Sequence, residues 1–365
     1  MNICIAVLLA FALLGALDKV LNGKLGVQEE FDRGLAAMGP LCLSMGGIYC
    51  VAVTALSAVS QNAAALHGIL PFDPSLPAGM LLATDMGGWA AAKELAATPE
   101  LAAYAGLLVA STLGCLVSFV LPVSLGALPS HEVMGFMQGV VWGIIALPAG
   151  LLAGGAALGL SAGTLLQNLW PVALICGLLV TALRFAPRGC IRGLALFGGG
   201  VRILGILLFC AVVFGVFVPE LAPAPLALVQ EVLVIVLKIT AVVCGAMVAS
   251  RIALARCGRF ITRVSEKLGV NEYAVLGLMA SLVSSVSMLP LYGRMDVRGK
   301  VMNAAVTVSG AFVLGGQLAF VSSVAQGTAV WAFFACKLLG GALAAALALK
   351  FTRGGAPAEL RATEA

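Results

Sequence analysis

The chain has 365 residues, of which 61% are hydrophobic and only 10% are charged. About a quarter of the residues of a soluble domain are charged, so this composition excludes a water-soluble globule and indicates an all-α polytopic membrane protein. The net charge of +5 does not indicate a nucleic-acid partner, because Lys and Arg are confined to a few loops between apolar segments.

Nine apolar segments are long enough to cross about 30 Å of hydrocarbon as helices. They cover residues 2–17, 35–60, 101–128, 133–160, 165–186, 198–218, 225–250, 298–325 and 328–350. Two further segments, 74–95 and 271–293, are interrupted by residues that do not suit a continuous membrane helix. The first contains a carboxylate beside a glycine pair, and the second contains several serines and a proline.

The Lys and Arg residues of the loops predict the orientation, because basic loops stay in the cytoplasm. Basic residues cluster at 184–192, 251–267, 294–300 and 350–361, whereas the connections at 61–72, 161–168, 219–224 and 326–328 contain none. Both flanks of segment 271–293 are therefore expected in the cytoplasm, so that this segment enters the membrane and turns back. Segment 74–95 is expected to do the same from the opposite face. The rival arrangement, eleven full crossings, leaves one basic loop outside.

Weak internal matches recur in the same order along the chain. Residues 81–84 match 278–281, residues 141–146 match 330–335, and the glycine pair of the first interrupted segment falls where Ser284-Ser285 follows in the second. These matches predict two membrane repeats, and broken elements in inverted repeats are typical of secondary transporters.

The predicted organisation has repeat 1 at 1–160, a linking span within 161–193, repeat 2 at 194–350 and a disordered cytoplasmic tail at 351–365. Each repeat contains four spans and one broken or re-entrant segment. The linking span inverts the second repeat, so the N-terminus lies outside and the C-terminus lies in the cytoplasm.

Asp85 is the first candidate binding residue. A charged group at membrane depth costs roughly 2.5 to 3.5 kcal/mol on insertion scales and is usually kept for a substrate, an ion or a proton. Unwound backbone around Gly87 and Gly88 would add free carbonyl groups, and a carboxylate with carbonyls suits a small cation or an ammonium group. The alternative is a structural ion pair between Asp85 and Lys337, a cation within the last span.

Hydroxyl and amide side chains extend the candidate site. Thr84, Ser284 and Ser285 either bind a substrate hydroxyl or satisfy the backbone that the breaks set free. Asn303 and Gln317 are close to four helical turns apart in one predicted span. They form either a polar stripe along a pathway or hydrogen bonds between helices.

Four charged residues are candidates for coupling or gating. Lys93 and Glu94 form either a local ion pair or a substrate contact, and Lys337 needs a partner because it lies far from the ends of its span. Asp296 suits the N-cap of the helix that follows it. The sequence contains no nucleotide-binding loop, no GxSxG motif and no paired His or Cys ligands, which disfavours an ATP-driven transporter, an enzyme, a cofactor or a metal site.

Two stretches, LLATDMGGWAAAKELA at 81–96 and MDVRGKVMNAAVTVSGAFVLG at 295–315, resemble the ethanolamine-utilisation membrane permease family, the EutH-type proteins. The resemblance covers most of the chain and implies a multi-pass protein of the bacterial inner membrane that lets ethanolamine enter the cell. The residues that match the family's pattern are Asp85, Gly87, Gly88, Lys93, Glu94, Asp296, Arg298, Gly299, Lys300, Asn303 and Lys337.

The chain departs from that pattern at two places. Ser284-Ser285 stands where the family has Asn-Asn, and Gly316-Gln317 stands where it has an Asp-His pair, so more of the ammonium binding is expected to rest on Asp85. We therefore expect a transporter or facilitator for ethanolamine or a closely related amino-alcohol in the lipid bilayer and, by analogy with other hairpin carriers, a homo-oligomer.

Two other classes of function remain. The alternative is an Na⁺- or H⁺-coupled carrier for another small solute, with Asp85 as the ion or proton site. A membrane sensor or scaffold is disfavoured, because the sequence offers no soluble domain with which to signal.

Overall fold

The computed structural model describes residues 3–55, 70–256, 258–325 and 327–352, and every regular element within them is helical. The tail beyond Thr352 and the predicted span residues 56–60 lie outside this part of the chain. The helices are α1 (Ile3–Val20), α2 (Gln28–Ala55), α3 (Leu76–Leu81), α4 (Gly88–Leu95), α5 (Pro99–Ala127), α6 (Ser130–Ala157), α7 (Ala162–Phe185), α8 (Pro187–Phe217), α9 (Leu226–Arg256), α10 (Gly258–Leu268), α11 (Glu272–Val283), α12 (Ser285–Tyr292), α13 (Val297–Ser309), α14 (Gly316–Val324) and α15 (Thr328–Phe351).

Seven helices of the described residues, α2, α5 to α9 and α15, are long and apolar enough to cross a membrane. The outer ones expose large apolar side chains: in α8, Ile203, Phe214 and Phe217 are 62%, 60% and 80% exposed. Contiguous apolar surface of this kind suits lipid and not water. The structure is therefore that of a multi-pass membrane protein, as the composition predicts.

The first interrupted segment, residues 73–97, is a hairpin of α3 and α4 that we call the first hairpin. Its two ends are joined by Asp73, whose carboxylate accepts a hydrogen bond from the amide of Ala97 at 2.9 Å. The amide of Asp73 in turn donates to the side-chain oxygen of Asn168 in α7 at 2.8 Å. The base of this hairpin is thus fixed next to the beginning of α7.

The second interrupted segment, residues 271–296, is a hairpin of α11 and α12 that we call the second hairpin. Asp296 accepts a hydrogen bond from the amide of Asn271 at 2.9 Å, and the Asn271 side chain donates to the carbonyl of Arg294 at 2.8 Å. Both segments therefore turn back on themselves, and one carboxylate closes each base.

The two bases lie at opposite ends of α6. Glu132, in the first turn of α6, forms an ion pair with Lys300, which follows the second hairpin. The other end of α6 leads into α7, where Asn168 holds the first hairpin. Because α6 has 28 residues, it separates the two bases by about 40 Å at the rise of an α-helix.

The span predicted at 298–325 is wrong as a continuous helix. The structure divides it into α13 and α14, with non-helical backbone at 310–315. The amides of Phe312 and Leu314 donate instead to the carbonyls of Ser281 and Leu282 at 3.0 and 2.8 Å. These bonds satisfy carbonyl groups that the end of α11 leaves without helical partners. The non-helical backbone between α13 and α14 therefore supplies the hydrogen-bond donors for the C-terminus of α11.

Helices α6 and α15 cross at the centre of the bundle through glycines. A Cβ on Gly150 would lie 2.6 Å from the carbonyl oxygen of Cys336 and 3.0 Å from the Cα of Gly340. Only small residues let membrane helices approach this closely. The crossing brings the middle of α15 into the core of the protein.

We predict that both ends of the second hairpin are reached from one side of the membrane. Single cysteines introduced by Lys267→Cys and Gly293→Cys should react with a membrane-impermeant maleimide from the same side, because Asn271 and Asp296 hold the two ends together. Ser161→Cys, at the far end of α6, should react from the other side, and the unsubstituted protein gives the background of the native thiols. Labelling of positions 267 and 293 from opposite sides would refute the hairpin.

Candidate functional site

Asp85 lies in the break between α3 and α4. Leu82 and Ala83 are extended (φ −116°, ψ 139° and φ −64°, ψ 156°), residues Thr84–Met86 form one 3₁₀ turn, and Gly87 adopts the left-handed φ of +98°. A residue with a Cβ rarely adopts that φ, so Gly87 permits the chain to restart as α4. Asp85 is partly accessible as a residue, whereas Thr84 is fully buried.

The carbonyl groups around the glycine pair are largely used by the backbone itself. The Ala83 carbonyl accepts from the amides of Met86 and Gly88, both at 3.0 Å, and the Gly87 carbonyl accepts from Ala91 at 3.0 Å. The carbonyls of Ala83 and Gly87 are therefore not free for a ligand. Gly88 instead permits a close approach, because a Cβ there would lie 2.7 Å from the Leu82 carbonyl oxygen.

The break of the second hairpin lies at Ser284, which is extended at φ −157° and ψ 130°. Ser284 is partly accessible, and Ser285, the first residue of α12, is buried. Pro290, the proline of this interrupted segment, lies inside α12. The serines therefore mark the break, and the proline does not.

Lys337 joins the broken elements at the centre of the protein. Its side chain is 1% exposed, and its ammonium donates to the carbonyl of Ser111 at 2.7 Å and to that of Ala311 at 2.9 Å. Ser111 lies in the wider π-helical winding of α5 at Tyr104–Gly114, and Ala311 follows the end of α13. Both acceptors thus come from backbone outside regular α-helix, one before and one after α7 in the chain.

Asp85 and Lys337 interact electrostatically, but no salt bridge joins these two described residues. The ammonium of Lys337 bonds to carbonyls instead. The structural alternative for Asp85, a direct ion pair with Lys337, is therefore not formed. Cys115 and Gln317 lie in the same region, since the Cys115 thiol interacts with Asp85, Lys337 and Gln317.

Three buried polar atoms of this region have no hydrogen-bond partner in the described part of the chain: Thr84 Oγ1, Ser309 Oγ and Gln317 Oε1. Ser309 packs against Gly340, one turn beyond Lys337 in α15. A buried polar atom without a partner is costly, roughly 1 to 3 kcal/mol, and marks a place where a ligand or water completes the bonding. Together with Asp85 these atoms form what we call the central site.

Asn303 and Asp296 lie outside the central site. The Asn303 side chain donates to the carbonyls of Ala274 and Gly299, both at 2.9 Å, and so ties α13 to α11. Asp296 occupies the N-cap position of α13, but its carboxylate accepts from Asn271 and not from its own helix. The face predicted for Asn303 and Gln317 is wrong, because the break at 310–315 separates their helices.

Lys93 and Glu94 lie near the end of α4. Lys93 is exposed and Glu94 is partly accessible, and no ion pair joins these two described residues. Neither residue takes part in the contacts around Lys337.

The sequence did not predict that the carbonyls of Ser111 and Ala311 bind Lys337. It also did not predict the break at 310–315, which leaves the Ala311 carbonyl outside a regular helix. Phe312 adopts a left-handed φ of +63° within that break, which no residue-type rule predicts. The available signal was the pair Gly310 and Gly315 around it. A Cβ on Gly315 would lie 1.9 Å from the Val283 carbonyl oxygen, so the backbone approach there depends on glycine.

A bundle of apolar helices with two hairpins defines a multi-pass membrane protein. The sequence matches, over residues 1–351, the family described as "Ethanolamine utilisation protein, EutH". The chain belongs to this family.

The curated relatives span nearly the whole chain. A protein of Listeria monocytogenes named "Probable ethanolamine permease EutH" is 35% identical over 95% of this chain and 93% of its own length. A protein of the same name from Salmonella typhimurium is 30% identical over 95% and 94%, and "Uncharacterized protein YxeR" of Bacillus subtilis is 33% identical over 95% and 93%. No solved structure matches the chain.

We predict that Gly114→Ala disrupts the first break. The added Cβ would lie 2.2 Å from the Leu82 carbonyl oxygen and 2.4 Å from that of Gly79, and overpacking of this kind costs about 1 to 3 kcal/mol. The melting temperature in detergent should fall. Gly135→Ala in α6 is the matched control, because its Cβ meets nothing within 4 Å, and it should leave the melting temperature unchanged or raise it. Equal melting temperatures for the two variants would contradict the tight approach.

Proposed function

We propose that the chain is a permease that lets ethanolamine, or a closely related small amino-alcohol, cross the bacterial inner membrane. The observation that carries this proposal is the position of Asp85, an acidic residue that is partly accessible, at the break between α3 and α4. The names of the relatives from Listeria and Salmonella support the same substrate.

The chemistry of an amino-alcohol fits the polar groups of the central site. Its ammonium group donates three hydrogen bonds and carries a positive charge, which the Asp85 carboxylate offsets. Its hydroxyl group both donates and accepts, and Thr84 Oγ1 and Gln317 Oε1 are buried acceptors without partners. Ser284, partly accessible at the other break, is assigned to the hydroxyl end of the substrate, with Ser285 beside it.

Two inverted repeats are part of this proposal. Gly114 lies close to the Leu82 carbonyl, and Gly315 lies close to the Val283 carbonyl. The sequence offset from Gly114 to Gly315 equals the offset from Leu82 to Val283, so the two contacts occupy equivalent positions in the two repeats. This sequence offset is four positions larger than the offset that matches residues 81–84 with residues 278–281. In addition, α1 packs against α9, and α8 packs against α2, so the first helix of each repeat contacts the second helix of the other.

Inverted repeats with broken elements at their interface allow alternating access by rocking of one repeat against the other. The repeat boundaries at 160 and 194, the linking span between them and homo-oligomerisation remain predictions of the same scheme. The coupled carrier with Asp85 as an ion site also remains a prediction, and uptake that requires an Na⁺ gradient would favour it.

We predict that Asp85→Asn abolishes uptake of labelled ethanolamine into proteoliposomes. Removing the charge that faces a buried ammonium costs about 2 to 5 kcal/mol, which corresponds to a loss of roughly 30-fold or more. Asp85→Glu should retain part of the uptake, because it keeps the charge and moves it by one methylene.

The matched control is Glu100→Gln, in the exposed first turn of α5. It removes one carboxylate close to the first hairpin and should leave uptake unchanged. Wild-type uptake by Asp85→Asn at normal expression would refute the assignment of Asp85.

A further inference from the structure

An apolar groove lies beside the second break, where α1 and α9 pack together. It has a volume of about 170 Å³. Its lining comes from α1, α9, α11 and the backbone between α13 and α14, and includes Leu8, Ala249, Ser250, Leu282, Val283 and Leu314. Among the described residues that line it, only Ser250 carries a hydrogen-bonding side chain. The groove is separate from the central site, because the two share no residue.

Close backbone contacts build both walls of this groove. On one side, a Cβ on Gly245 would lie 1.8 Å from the Leu8 carbonyl oxygen, so α1 and α9 meet at their backbones. On the other side, Gly315 lies against the Val283 carbonyl. Leu314 is 39% exposed, so the groove opens onto the surface of the bundle. Apolar walls with nothing between them lose dispersion contacts, and an acyl chain restores these contacts.

Basic residues gather where α9 extends beyond this groove. Ala249 and Arg256 are seven residues apart in α9, which is close to two turns, so they share a face and lie about 10 Å apart along the axis. Arg259, Arg263 and Lys267 follow in α10. Arg256 and these three residues are exposed, and no described carboxylate forms an ion pair with any of them.

Helix α10 packs against the second hairpin and turns its basic side outward. Ile261 and Ser265 are buried, and the helical period places Arg263 on the opposite side. Thr262 donates to the carboxylate of Glu272, at the base of the second hairpin, at 2.6 Å. The cations of α10 are therefore held at the same end of α11 as the end of α9.

We propose that this groove and the cations beyond it form a binding site for one anionic phospholipid of the leaflet at which α9 ends. An acyl chain lies in the groove beside Leu282 and Val283, and the headgroup phosphate contacts Arg256 and Arg259. Guanidinium groups bind phosphate oxygens through paired N–H donors. Basic pockets between membrane helices on the cytoplasmic side bind anionic headgroups, and the loop charges predict that side for residues 251–267.

The cations decide among the possible occupants. A zwitterionic phospholipid has the same chains and phosphate but adds a positive charge of its own beside the arginines. A second copy of the chain could bury an apolar helix in the groove but would leave Arg256 without an anion. Each basic residue near an anionic surface contributes about 1 kcal/mol, which is about fivefold in affinity.

The test is native mass spectrometry of the full chain, purified in detergent, stripped of lipid and titrated with phosphatidylglycerol or with phosphatidylcholine of the same acyl chains. The wild type should retain one phosphatidylglycerol per chain and bind it at least about tenfold more tightly than phosphatidylcholine, from the charge of the two arginines. The melting temperature of each variant without lipid verifies that it is folded.

Paired variants test the headgroup contacts. Arg256→Gln combined with Arg259→Gln should weaken phosphatidylglycerol binding by roughly 30-fold, the product of two fivefold losses. Arg256→Lys combined with Arg259→Lys keeps both charges and should retain most of the binding. Arg188→Gln combined with Arg192→Gln is the matched control: it removes two exposed cations of α8, which does not line the groove, and should leave binding unchanged.

A filled groove tests the acyl-chain contact independently of charge. Ala249→Phe places a ring in the groove and should weaken phosphatidylglycerol binding. Ala195→Phe, at an exposed position of α8, is its control and should not.

Four results would overturn the lipid site: equal affinity of the wild type for the two lipids, full binding by Ala249→Phe, equal losses in the two arginine-to-glutamine pairs, or a lipid-free dimer that Ala249→Phe dissociates. The last result would assign the groove to a second copy of the chain. Ethanolamine flux plays no part in these measurements, so each outcome leaves the proposed function as it stands.

Discussion

The structure depends on the need to satisfy backbone groups wherever a helix is interrupted inside the membrane. No water is available there to bond a free N–H or C=O, so each break requires an internal partner. The first break obtains one from Ser118, whose hydroxyl accepts from the amide of Ala83 at 3.1 Å. The second obtains two from the non-helical backbone between α13 and α14. Lys337 then occupies carbonyls of both halves, so the two breaks are parts of one connected core.

This arrangement explains why polar groups can persist at the centre of so apolar a chain. The glycines at the breaks remove side-chain volume where one backbone lies on another. Thr84 Oγ1 and Gln317 Oε1 have no hydrogen-bond partner among the described residues, although the backbone around the breaks is bonded. The same packing that stabilises the breaks therefore leaves acceptors free for a small, strongly donating ligand.

Much of this could be predicted from the sequence, and the limits have physical causes. Composition and the loop charges predicted the helical membrane class, and the Asp85 and serine interruptions predicted two broken segments, because both signals are local. The break at 310–315 was missed, since hydropathy remains high through GAFVLG and its cause is a contact with α11, far away in sequence. The roles of Asp296 and Asn303 in joining helices were open for the same reason: their residue types suit a cap, a ligand or a cross-link equally well.

The closure of each hairpin by one carboxylate also bears on the order of assembly. Asn271 and Asp296 lie 25 residues apart, at the two ends of the second hairpin, so this hairpin carries both groups that close its base. Asp73 can hold Ala97 early, but its own amide waits for Asn168, 95 residues later. During synthesis from the N-terminus, the first hairpin therefore completes the bonding of its base only once α7 has been made.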